Sequence, residues 1–179
     1  FQEAVAVVQS GQLGKVRQVR AWAYLDWLGG IGNKPEGQPP AGVDYDMWLG
    51  PAPKRPFHPS RFHFNFRWFW DYSGGILTDW GTHLIDVIHW AMGVDAAKTV
   101  MATGGMLLLE DNRETPDTLE VLYEYPASAI SGKEFLVRFS NRFANGHGPD
   151  SHSYGIQFYG TDGTLFVDRS GYTLWPEPA

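Results

Sequence analysis

From Ala97 to Trp175 the chain offers six strand-like runs in succession: KTVMATGG, TLEVLYEYP, EFLVRFSNRF, SYGIQFYG, GTLFVDR and GYTLWPE. Each is rich in β-branched and aromatic residues and is broken from the next by Gly, Pro, Asp or Asn. No helical pattern separates them, so their connections are too short for parallel crossovers and they must pair antiparallel. Thr161-Asp162-Gly163 supplies one hairpin turn. A further strand is expected in KVRQVRAWAYLDW, residues 15–27, where Val16, Gln18 and Arg20 alternate with Arg17, Val19 and Ala21. Hydrophobic residues make up 43% of the 179 residues, with 8 Trp, 8 Tyr and 11 Phe, enough to fill one core. The expected fold class is therefore α+β: an open, predominantly antiparallel sheet with helices packed on one face, in a single domain over residues 1–179.

The rest of the chain divides into three parts. Residues 1–10 place Phe1, Val5 and Val8 at helical spacing with no capping residue ahead of them, and read as the closing turns of a helix that starts upstream. Residues 29–60 form a Pro/Gly-rich arm, and half of the prolines fall between Gly29 and Pro56. From Arg61 to Trp70 polar and aromatic residues alternate, which fits an extended segment with one apolar face or a short helix. A helix over residues 74–93 follows the Ser73-Gly74-Gly75 turn and closes at Gly93.

Charge excludes some functions. The formal net charge is −6 and the pI about 5.4, against the basic surface that nucleic-acid binding demands. No apolar run approaches the ~20 residues of a membrane span, and no signal-like segment opens the chain. With no cysteine there is neither disulfide nor thiolate metal site, and the compartment, cytoplasmic or periplasmic, stays open. His58, His63 and His89 lack metal-ligand spacing, so no metal is expected. Asp150, Ser151 and His152 hold triad letters, but consecutive positions cannot form a nucleophile-base-orienter geometry.

The chemistry is concentrated in the helix. On a wheel of 100° per residue Asp79, His83, Asp86 and Trp90 fall within about 60° of one another, while Leu84, Ile85, Ile88 and Met92 face the opposite way. Packing the apolar side on a sheet would aim two carboxylates and an imidazole into whatever cleft lies beyond. A histidine titrating near neutrality suits removal of a hydroxyl proton. Solvated polar stripes of this spacing are also common on surface helices, and spacing alone does not separate the two readings. The neighbours favour a site: Gly74 and Gly75 allow close approach, Trp70, Tyr72 and Trp80 offer stacking faces, and Arg67 can reach a ligand or form an ion pair.

Asp79-Trp80-Gly81-Thr82-His83-Leu84-Ile85-Asp86 resembles the D-x-G-x-H-x-x-D signature of the C-terminal domain in the glucose-fructose oxidoreductase / inositol dehydrogenase (Gfo/Idh/MocA) family. EAVAVVQSGQLGKVRQVRAW is similar to the helix-turn-strand that leads into that domain, and DYDMWLGPAPKRPF, with the residues from Phe64 to Asp86, resembles a bacterial subgroup of the family. The resemblance implies an NAD- or NADP-dependent oxidoreductase for a sugar, inositol or related polyol, and a homo-oligomer, dimer or tetramer, formed through the sheet. Carried over, it makes His83 the acid/base, Asp79 a substrate-positioning acid and Asp86 a third member of the set. A redox-neutral glycoside hydrolase or epimerase of the same family, and a non-catalytic oligomerisation domain, are the alternatives. The family's Glu-Lys-Pro lysine and its Rossmann domain are absent from this chain; Gly30-Ile31-Gly32 is the nearest match to a dinucleotide loop, and it runs into Asn33-Lys34-Pro35 rather than into a helix. The isolated chain is expected to be inactive, with the cofactor bound mainly by the Rossmann domain.

Overall fold

The computed structural model describes residues 1–27 and 29–178. Seven strands form one sheet: β1 (Gln18–Leu25), β2 (Thr99–Gly105), β3 (Thr118–Tyr125), β4 (Phe135–Phe143), β5 (Tyr154–Tyr159), β6 (Gly163–Val167) and β7 (Tyr172–Pro176). Their spatial order is β2-β3-β4-β1-β5-β6-β7. All neighbours are antiparallel except β1 and β4, which run parallel with Gln18 opposite Leu136 and Leu25 opposite Phe143. The exception follows from chain order. β1 is laid down first, the chain then leaves for some seventy residues, and β4 returns beside β1 only after the β2–β3 hairpin is complete.

Alternation along β1 divides the sheet into two faces. Val19, Ala21 and Ala23 are fully buried under the helices together with Val137, Phe139, Ile156 and Leu165. The covering helices are α1 (Gln2–Gln9), through Val5 and Val8, and α4 (Trp80–Met92), through Leu84, Ile88 and Met92. Gly81 faces the sheet, where a Cβ would stand in ordinary contact with the Phe139 ring at 3.6 Å. On the opposite face Trp22 and Tyr24 are buried with Phe166. The Trp22 indole donates to the carbonyl of His152 at 2.8 Å, so the loop that carries β4 into β5 is tied down over the end of β1. Beyond that loop, over β2, β3 and β4, no helix among the described residues covers this face of the sheet, and Met101, Leu122 and Leu136 remain exposed there.

Three segments differ from their sequence pattern. The arm contains a short helix, α2 (Tyr45–Leu49), where a loop is expected; Asp44 caps it by accepting from the Met47 amide at 2.9 Å, and Tyr45 stacks on Trp48. Residues 61–70 are not the extended, one-sided segment but follow the other reading, a short helix. They form 3₁₀ turns at Pro59–Arg61 and His63–Trp68, because no strand edge lies beside them and their amides bond locally, Phe69 to Phe66 at 3.2 Å for instance. Period three distributes the rings: Trp68 turns inward against Phe143, while Phe64 and Trp70 stay exposed. The third difference is in the helix of residues 74–93, which is two helices, α3 (Gly75–Thr78) and α4, broken at Asp79 with φ −91° and ψ −83°. Its far end closes as expected, with Gly93 left-handed and its amide bonded to the carbonyl of His89 at 2.9 Å.

The loop between β2 and β3 locks the arm in place. Ile31 and Lys34 donate their amides to Asp111 and Asn112, each at 2.8 Å, and Asn112 returns a bond to the carbonyl of Gly32. The Ile31 amide and the Gly32 carbonyl are thus engaged within the protein, and the segment is a loop.

Candidate active site

α4 is anchored along one side by Leu84, Ile88 and Met92, all at most 2% exposed, so what its other side presents is set by the core. His83 and Asp86, one turn apart, are exposed from that side. They line a cleft of about 370 Å³ with Trp80, Tyr154, Arg169 and Phe1. The aromatic wall is continuous: the Trp80 and Tyr154 rings meet at 4.9 Å, and the Arg169 guanidinium lies 5.4 Å from the centre of the Trp80 ring. An imidazole, a carboxylate, a guanidinium and two aromatic faces together can orient a polyol and exchange a proton with it.

Asp79 stands apart from this cleft. The break before α4 removes it from the wheel shared by His83 and Asp86, and its Oδ2 accepts from the Nε of Arg67 at 3.0 Å. Arg67 is in turn held over the rings of Phe64 and Phe66, at 4.3 and 5.0 Å, and donates to the Phe64 carbonyl. Of the two uses open to Arg67, the ion pair is the one formed. The pair stands at the head of α4, where a carboxylate is also favoured by the helix dipole.

The remaining expected residues, Trp70, Tyr72, Gly74 and Gly75, do not line this cleft. Trp70 is exposed, and its amide donates to Glu114 at 2.9 Å. The Tyr72 ring packs edge-on against Trp48, and burial raises the pKa of its hydroxyl. Gly74 donates its amide to the Thr78 hydroxyl at 2.9 Å. Gly75 has φ +69°, and a Cβ there would come within 2.8 Å of Thr115; its close approach is to the β2–β3 loop.

Two lining residues escaped the sequence reading. Tyr154 opens β5, and Arg169 lies in the turn from β6 to β7. Neither stands in a motif; each reaches the cleft because β5 and β6 are stacked outward from β1 beneath α4. Histidines outside the cleft have other work. His89 shares a 2.7 Å hydrogen bond with Tyr125, whose burial pushes its phenol up to about 12, and His58 accepts from the Ser60 amide. Among the described residues no three His, Asp or Glu side chains converge to hold a metal ion. Asp150 and His152 diverge, the first accepting from Gln157 and the second lying 3.3 Å from Asp168.

Comparison with known proteins adds to this geometry. The family model described as the oxidoreductase family, C-terminal alpha/beta domain, matches residues 3–135. No curated protein matches the sequence. Among solved structures, levoglucosan dehydrogenase in complex with NADH and levoglucosan superposes with a TM-score of 0.58 at 14% identity, over 97% of this chain and 43% of that one. The WlbA dehydrogenase from Bordetella pertussis, in complex with NADH and UDP-GlcNAcA, gives 0.55 at 15% identity, over 99% and 43%. An oxidoreductase from Thermotoga maritima gives 0.59 at 15%, over 98% and 41%. The chain therefore spans less than half the length of each of these structures.

Proposed function

Because the chain belongs to the Gfo/Idh/MocA oxidoreductase family, as its C-terminal α/β domain, we propose that it is the substrate-binding and catalytic half of an NAD(P)-dependent oxidoreductase acting on a CH–OH group of a sugar, inositol or related polyol. The observation that carries this reading is the presentation of His83 and Asp86 from a core-anchored helix into an open cleft walled by aromatic rings. A solvated polar stripe would have no such wall.

The residues fit one end of a nicotinamide dinucleotide and not the other. Trp80 and Tyr154 supply flat apolar faces suited to a nicotinamide or a sugar ring. Nothing among the described residues cradles a diphosphate, and in the segment nearest that pattern the Ile31 amide is bonded to Asp111 and the Gly32 carbonyl to the Asn112 amide. The diphosphate and adenosine are therefore assigned to a nucleotide-binding domain outside this chain. When bound, the nicotinamide supplies the hydride acceptor.

The chain's own work is positioning and proton transfer. An imidazole nitrogen of His83 takes the hydroxyl proton as the carbinol becomes a carbonyl. Asp86, one turn on, accepts a hydrogen bond from a neighbouring hydroxyl, and Trp80 stacks on the apolar face of the ring. Asp79, paired with Arg67 at the head of α4 and outside this cleft, is given no contact with the substrate. Replacing His83 by Ala in the intact protein is expected to lower kcat by ~10² to 10⁴ while leaving cofactor affinity within a factor of about two. Retained turnover, followed as NADH or NADPH formation against a panel of polyols, would remove the assignment.

We also propose that the bare sheet face pairs subunits into a homo-oligomer. Met101 and Leu122, register partners across β2 and β3, expose apolar surface there together with Leu136 on β4, two residues from Arg138, the partner of Leu122. Light scattering would read a change of mass on Leu122→Glu.

A further inference from the structure

The proposed reaction needs no cation in the cleft, yet Arg169 presents one. The turn that carries it is built around Asp168, which is 7% exposed. Asp168 accepts from the amides of Ser170, at 2.7 Å, and Gly171, at 3.2 Å, and its other oxygen faces His152. The carboxylate adjacent in sequence is thus consumed by the turn itself and does not neutralise Arg169. Among the described residues Arg169 makes no ion pair. Arg169 is exposed, its guanidinium stands 5.4 Å from the centre of the Trp80 ring, and it lines the same cleft as His83 and Asp86.

A ring filling this cleft would strip water from the guanidinium, and an unpaired desolvated cation is costly. Asp86 and Glu3 are the nearby acids: Asp86 shares the cleft, Glu3 lines the adjoining hollow, and neither lies within 4.0 Å of Arg169. A ligand that brings its own anion meets the demand, and the planar fork of arginine matches two oxygens of a carboxylate or phosphate.

We propose that Arg169 is a specificity-determining residue, and that the substrate is an acidic sugar, carrying its carboxylate or phosphate on the side of the ring that faces the β6–β7 turn. This rests on the oxidoreductase reading for the reaction and on the cleft alone for the anion.

The test uses the intact protein with D-glucuronate, D-glucose 6-phosphate and D-glucose, in wild type, Arg169→Ala and Arg169→Lys. The ratio of kcat/KM for each acidic sugar to that for glucose should fall by about 10- to 100-fold in Arg169→Ala and recover in part in Arg169→Lys. Added salt should lower the ratio in wild type and leave it flat in Arg169→Ala. Whichever acidic sugar loses more identifies the anion. Ligand-induced shifts of the Trp80 indole resonance, assigned with Trp80→Phe, give a binding readout that needs no turnover. Binding of glucuronate or the phosphate that weakens in Arg169→Ala upholds the anion site even if no sugar is oxidised, in which case the oxidoreductase reading fails by itself. A selectivity ratio unchanged by Arg169→Ala, or equal binding of acidic and neutral sugars, overturns the proposal.

Discussion

Asp117 closes the β2–β3 loop with four accepted hydrogen bonds, and replacing it by Asn tests how that loop is held. The residue is fully buried. Its oxygens accept from the amides of Leu107, Leu108 and Leu109, at 3.1, 2.9 and 2.7 Å, and from the Thr118 hydroxyl at 2.8 Å. Burial works against the charge, and these donors outweigh it, so the carboxyl is held below the ordinary carboxylate range. An amide keeps one acceptor oxygen and turns an NH₂ toward a backbone N–H. Hydrogen bonds to a charged group contribute about 1.5–3 kcal/mol against about 0.5–1.5 for neutral ones, so weakening four of them by roughly 1 kcal/mol each gives about 4 kcal/mol. For a domain of this size each kcal/mol moves Tm by about 2–4 °C, and Asp117→Asn should melt roughly 8–16 °C lower at pH 7.

The pH dependence makes that prediction specific to charge. A carboxyl whose pKa is depressed on folding contributes stability that is fully present above its unfolded pKa and is lost as pH falls through the folded value. Asp111, Glu120 and Asp168 are depressed as well, so both proteins weaken in acid. Only the wild type loses the Asp117 component, and the gap in urea midpoint should narrow steadily below pH 4. A gap that stays constant down to pH 2 would refute the charge argument and leave packing as the cause. A loss under about 1 kcal/mol at pH 7 would refute the hydrogen-bond arithmetic itself.

Two further perturbations probe the frame of the site. Gly75→Ala puts a Cβ on a backbone of φ +69° and within 2.8 Å of Thr115, so it should cost about 1–3 kcal/mol in chemical denaturation; a neutral effect would mean that α3 is free to shift. At the alkaline end, Tyr125 carries a raised pKa of about 12, so its contribution is complete below the unfolded value near 10 and is lost between there and 12. Wild type should lose up to roughly 2–3 kcal/mol over that interval, and Tyr125→Phe should lose less. Equal slopes in the two proteins would place the alkaline loss at Tyr123 and Tyr159, whose pKa values burial also raises.

The sheet was legible because its signal is local. All seven strands lie within runs marked by alternation and punctuation, and a fully buried face at Val19, Ala21 and Ala23 needs no knowledge of partners. The pairing of β1 with β4 was not legible, because two strands separated by more than a hundred residues carry no local trace of adjacency. The same limit explains residues 61–70. Alternation in sequence predicts an extended segment only if a strand edge stands ready to accept its amides, and here the neighbours are the rings of Trp48, Phe57 and Phe143.

The candidate site shows the same division at smaller scale. His83 and Asp86 were readable because a continuous helix converts spacing into direction, and α4 is continuous between them. Asp79 obeys the same spacing and does not share their cleft. The wheel assumes one helix, and Gly75, held at φ +69° against Thr115, starts a separate turn that ends in the break at Asp79. Once the backbone turns there, the carboxylate is nearer to Arg67 than to His83, and an ion pair replaces a shared stripe. Tyr154 and Arg169 lie on the other side of that limit. What carries them to His83 is the stacking of β5 and β6 outward from β1, a property of the whole sheet that neither residue's neighbours encode. A motif on one element can therefore nominate the residues that one helix presents to such a cleft, whereas the rest of its lining lies on the strands and turns that tertiary pairing delivers.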